Sequence, residues 1–168
     1  ALLRATSAPD GRFRTWLIPH GRPTSVRSWW TLRAERRPDT RALRQELWAN
    51  TEADPDDIDA VVNANVCRYL GPLASEGAVD WVASVVRADA GTADKWHRSP
   101  YALWASVADG GRRGITAFAD LAPLLVDRVA SSPAPQGGAR DVDTAHALLV
   151  VQRCGGPPEL RSALAAID

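Results

Sequence analysis

Apolar residues recur at helical spacing through most of the 168-residue chain. The most completely specified stretch is Asp54–Leu70. In it Ile58, Val61, Val62, Asn65, Val66, Tyr69 and Leu70 fall at i, i+3, i+4, i+7, i+8, i+11 and i+12, one helical face. Asp54 suits the N-cap and Pro55 the first helical position, while Asp56 and Asp57 set negative charge on the positive end of the helix dipole. Gly71 supplies the left-handed residue that closes a helix, and Pro72 prevents its continuation. The pattern predicts the central core helix of a small domain.

The remaining chain divides by its breakers. Leu2–Thr6 and Arg12–Ile18 flank Ala8-Pro9-Asp10-Gly11 and predict an N-terminal β-hairpin. Residues 26–37 suit a helix through Val26, Trp29, Trp30 and Arg33, or a third strand by their β-branched and aromatic content; the strong helix formers from Leu32 onward favour the helix. Asp39 or Thr40 caps a further helix through Trp48, with Ala42, Leu43 and Leu47 inward. Ser75 opens a helix with Ala78, Val79, Val82, Val85 and Val86 on one face. Ser99-Pro100 starts a short helix carrying Tyr101, Leu103, Trp104 and Val107, and Asp109–Gly114 reads as a flexible loop. Thr116 caps a helix that Pro123 interrupts. Ser131–Ala139 reads as a surface linker, before a helix through Ala145, Leu148, Leu149 and Gln152 that stops at Gly155. Pro157-Pro158 opens the last helix, with Leu160, Ala163, Leu164 and Ile167 in register. The expected architecture is mainly α, or α+β in strict terms: a compact bundle of about six to eight helices with the hairpin, in a single domain over 1–168.

Composition changes this picture little. Apolar content of 45% and charged content of 24% are ordinary globular values. No apolar run approaches membrane-spanning length and no leader precedes the first elements, so a cytoplasmic chain without membrane contact is expected. Cys67 and Cys154 make no disulfide framework and read as buried free thiols. Only Lys95 among the twenty basic residues is lysine, which suits a bacterial, high-GC coding genome.

Charge distribution adds more. Residues 1–48 hold ten arginines against four acids, and residues 49–94 two arginines against nine acids. Such halves mark a partner surface or dock on each other.

Candidate chemistry is sparse. Asp54, Asp56, Asp57 and Asp59 could hold a magnesium ion, but they read as first-turn acids favoured by the helix dipole. His20, His97 and His146 are scattered, with no metal-ligand spacing to either cysteine, and Trp96-His97-Arg98 reads as an exposed turn. Nucleophile and phosphate-loop signatures are absent, so no catalytic residue, metal ligand or cofactor is assigned and the expectation leans away from an enzyme. The richest segment is basic and aromatic. Trp29, Trp30, Arg33, Arg36, Arg37 and Arg41, with Trp96, form the candidate binding set, because Trp and Arg dominate interface hot spots. The leading expectation is a protein-interaction or regulatory module that meets a protein partner or a larger parent chain through this face. Nucleic-acid binding by the same stripe is the first alternative, weakened by a net charge of zero. A small ligand-binding domain or enzyme is the second, to be favoured by a cavity holding His97 or the Asp54–Asp59 cluster.

Overall fold

The computed structural model describes Leu3 and residues 7–16, 38–90, 95–97, 99–132 and 140–166, without the side chains at 39–41, 44, 47 and 140. It is mostly helical. Its contacts divide the chain into two compact units, Ala1–Ile58 and Asp59–Asp168.

In the first unit a tight turn over Ala8–Arg12 is closed by hydrogen bonds from Gly11 N to the Ala8 carbonyl (3.0 Å) and from Ala8 N to the Arg12 carbonyl (2.7 Å). Beyond it lies a single antiparallel bridge between Ser7 and Phe13. The expected β-hairpin is therefore not supported: no strand occurs among the described residues, and Leu2, Arg4–Thr6, Leu17 and Ile18 lie outside them. The acidic run folds as its own turn rather than as a helix start. Asp54 Oδ1 accepts from Asp56 N at 2.8 Å, and Asp57 Oδ2 accepts from Asp54 N at 2.7 Å. Aspartate side chains that bond nearby backbone in this way compete with helix formation. Arg14 pairs with Asp56 at 2.7 Å, and Trp16 Nε1 donates to Asp57 Oδ2 at 3.4 Å, so basic and acidic segments do meet here. Helix α1 (Pro38–Asn50) follows the expected boundaries, but Leu43, expected inward, is 68% exposed.

The second unit is a helical bundle built on α2 (Ala60–Leu70), α3 (Glu76–Arg87), α4 (Tyr101–Arg112), α5 (Thr116–Ala119), α6 (Ala122–Ser131), α7 (Arg140–Arg153) and α8 (Pro158–Ala165). Helix α2 starts later than the sequence suggested. Its N-cap is Asp59, extended at φ −117°, whose Oδ1 accepts from Val62 N at 2.7 Å. The buried face also differs: Ala60, Val61, Asn63, Ala64 and Cys67 point inward, while Tyr69 is 79% exposed. Small residues on that face let α4 approach closely, and this packing outweighs burial of the larger stripe. Gly71 ends the helix at a positive φ of +57°, as its position predicted.

Ser75 caps α3, which buries Ala78, Val82, Ala83 and Val86. Past its end, Asp89 takes a positive φ of +55° and is held by Arg128 of α6 at 2.9 Å; the same guanidinium donates to the Arg87 carbonyl at 3.1 Å. A cation placed on the last carbonyls of a helix satisfies groups the helix itself leaves open.

Helix α4 is the centre of the bundle, buried from Tyr101 to Ala108 except at Ala102. It continues through Asp109-Gly110-Gly111-Arg112, correcting the expected loop. The glycines serve close packing here. A Cβ on Gly110 would lie 2.7 Å from Phe118 Cδ2, and one on Gly111 2.9 Å from Ala119 N. Pro123 does break the following helix: α5 ends at Ala119 and α6 begins at Ala122 with the proline in its first turn. Helix α7 buries Ala147, Val150 and Val151 rather than Ala145, Leu149 and Gln152, which are exposed. Gly155, at φ +72°, stops it as expected, and α8 buries Leu164. Of the expected linker, 133–139 lies outside the described residues.

Among the described residues no helix is long and apolar enough to cross a membrane.

Candidate functional site

Three helices of the second unit each bring a face of mixed polar and apolar residues to one place. On α2 it is Val61, Asn65 and Arg68; on α4 it is Ala102, Ala105, Ser106 and Asp109; on α7 it is His146, Leu149 and Arg153. These spacings of three, four and seven residues keep each set on one face. The three faces converge on a cleft of about 430 Å³, which His97 also lines. Its size lies within the range of small-molecule sites.

One end of the cleft is a carboxylate shared by arginines. Asp109 lies 3.4 Å from Arg153 Nε, 3.0 Å from Arg113 Nε and 4.0 Å from Arg68 Nε. Arg68 and Arg153 line the cleft, whereas Arg113 stands one turn beyond Asp109 on the chain and is more exposed. Three guanidiniums against one carboxylate leave this end positive.

The wall between is unusually polar for a helix interface. Ser106, buried, donates its hydroxyl to Asn65 Oδ1 at 3.2 Å, and Asn65 Nδ2 donates to the Val61 carbonyl at 3.0 Å. The His146 Nδ1 atom is buried with no hydrogen-bond partner among the described residues. A buried polar atom left in that state is costly in a domain selected only for stability.

The remaining landmark is His97. Its Nε2 lies 3.7 Å from Asp59 Oδ2, and the aspartate side chain is only 1% exposed. The aspartate is itself fixed by the bond that its Oδ1 accepts from Val62 N, and 3.7 Å from the imidazole is an ion-pair distance rather than a hydrogen bond. Cys67 contributes no nucleophile: burial pushes its thiol up to about 12, and burial also raises that of Cys154. No group of three or more His, Cys, Asp or Glu side chains able to hold a metal ion occurs among the described residues.

The expected binding residues fare differently. Trp29, Trp30, Arg33, Arg36 and Arg37 lie outside the described residues; Arg41 sits on α1, but its side chain is not described. Trp96 is exposed, with Lys95 Nζ 5.1 Å from its ring centre. His97, read as part of an exposed turn, is instead half-buried against Asp59, and it shares a cleft with His146 across 49 residues of sequence. Arg68, Ser106 and Arg153 were not singled out from sequence, whereas Asn65 was read on the core face of its helix, Asp109 as the start of a loop and His146 as one of three scattered histidines. Their signal was the shared face on each helix, which periodicity displays; which faces meet one another is a tertiary fact.

Comparison with protein-family models, with curated proteins and with solved structures finds no match to this chain.

Proposed function

We propose that residues 59–168 form a helical ligand-binding module whose α2/α4/α7 cleft takes a small polar organic molecule. The observation that carries this is that polar side chains of three helices, Asn65 and Arg68, Ser106 and Asp109, His146 and Arg153, line one cleft. Val61, Ala102 and Leu149 supply apolar wall, and Asn65, Ser106, His97 and the arginines supply the few convergent polar groups that fix orientation in such sites. Ala102 lines the cleft without being fully buried, so Ala102→Trp should fill it while sparing the core. In a thermal-shift screen of small polar metabolites, wild-type protein should be stabilised by at least one compound and Ala102→Trp by none, with circular dichroism unchanged. A screen without a hit, or hits that Ala102→Trp retains, would sink the proposal.

A second, separate reading concerns the first unit. It keeps the expected protein-contacting role of the Trp/Arg-rich segment, in which Leu43 on α1 is an exposed apolar side chain. If that segment, through Trp30 and Arg37, binds a protein partner, Leu43→Ser combined with Arg37→Glu should abolish a complex seen by cross-linking and sizing. Stability should change by less than about 0.5 kcal/mol. A complex that survives the double variant would dismiss this face. Salt-sensitive retention on immobilised DNA or RNA would move the same face to nucleic acid.

A further inference from the structure

The arginines around Asp109 meet it by only one edge. In all three the nearest approach to the carboxylate is through Nε, and the side chains of Arg68 and Arg153 stay 43% and 38% exposed. Each guanidinium therefore keeps N–H donors accessible beside the cleft, in the planar fork geometry that grips carboxylate and phosphate oxygens. Charge narrows the choice. Three cations and one carboxylate leave an excess of two positive charges, which a singly charged carboxylate would only half neutralise. A phosphate monoester carries about −1.5 to −2 at pH 7 and offers three acceptor oxygens.

Building on the cleft-binding reading above, we propose that the ligand is a small organic phosphate monoester, its phosphoryl group gripped by the Nη atoms of Arg68 and Arg153 and its organic part lying along Val61, Ala102 and Leu149. Asp109 then has a defined part. It holds the guanidiniums in place in the empty site and competes with the incoming anion for them.

Phenyl phosphate and benzoate share a ring and differ in the anion, so calorimetric titration of the full 168-residue chain with each tests the assignment. At about 50 mM salt, where screening is weak, phenyl phosphate should bind at least about tenfold tighter than benzoate. Arg68→Ala and Arg153→Ala should each weaken it by about tenfold or more. Arg68→Lys, which keeps the charge and loses the fork, should fall between them and wild type. Asp109→Asn should tighten binding several-fold by removing the competing carboxylate. Equal binding of the two probes, or phosphate binding indifferent to both arginine substitutions, would overturn the assignment. If neutral compounds bind and are lost in Ala102→Trp while phenyl phosphate does not bind, the phosphate assignment falls and the cleft reading stands. If nothing binds the cleft, both fall.

Discussion

Phe118→Ala should remove about 3–5 kcal/mol of unfolding free energy, which equilibrium urea denaturation would measure. Phe118 is 1% exposed, and its ring lies over Gly110 where α4 and α5 meet. Deleting that ring forfeits its transfer free energy and leaves a cavity that backbone on both sides holds open. Set against a typical total of about 5–15 kcal/mol, such a loss puts the variant near its unfolding threshold at ordinary temperature. The neighbouring glycine supplies an internal check. A methyl group added by Gly110→Ala would enter the space the ring vacates, so the double variant should be less destabilised than the sum of the singles. Additive losses would show that the ring and the glycine are not in contact.

Gly111→Ala is the second large effect, and its sign opposes helix propensity. In the middle of an exposed helix, replacing glycine by alanine gains about 0.8–1 kcal/mol. At Gly111 the new Cβ would sit 2.9 Å from Ala119 N and 3.0 Å from Ala119 Cα, atoms of the backbone. No rotamer change relieves such a clash; α4 and α5 must move apart, and overpacking of this kind costs about 1–3 kcal/mol. The expected outcome is a net loss of stability with a lowered midpoint and unchanged m-value. A stabilised variant would mean that α4 and α5 are not packed this tightly.

Gly111, unlike Phe118, falls in a stretch whose sequence pointed elsewhere. Asp109-Gly-Gly-Arg-Arg-Gly114 has the composition of a loop, because two adjacent glycines weaken a helix when nothing packs on them. Phe118 and Ala119 supply what composition cannot show: a partner near enough that only glycine fits. The same physics explains α2. Its apolar stripe predicted that Tyr69 faces inward, yet the helix is oriented by how closely its Ala60, Ala64 and Cys67 face can approach α4. In α7 the stripe was likewise displaced, from Leu149 to Val150 and Val151.

The termini of elements were more legible than their faces. Ser75 as a cap, Gly71 and Gly155 as stops at positive φ, and the break at Pro123 are all present in the structure. Each depends on one or two residues and their own backbone, so local sequence suffices. Asp59 shows the limit of that rule. Four aspartates precede Val61 within the run Asp54–Asp59, and Asp54 and Asp57 were lost to a turn of their own by hydrogen bonds that compete with the helix.

The sequence by itself determined that this protein is mostly helical, where several of its helices start and stop, and that Cys67 is a buried thiol on a core helix. These follow from propensity, capping and periodicity, all short-range. Only the tertiary structure decided which faces of α2 and α7 are buried, that the Gly110-Gly111 pair is helical, and that His97 and Asp59, or Arg68, Asp109 and Arg153, stand together. Those juxtapositions join residues up to 85 positions apart. They are set by which helix faces approach most closely, a competition among packings that no single stretch of chain contains.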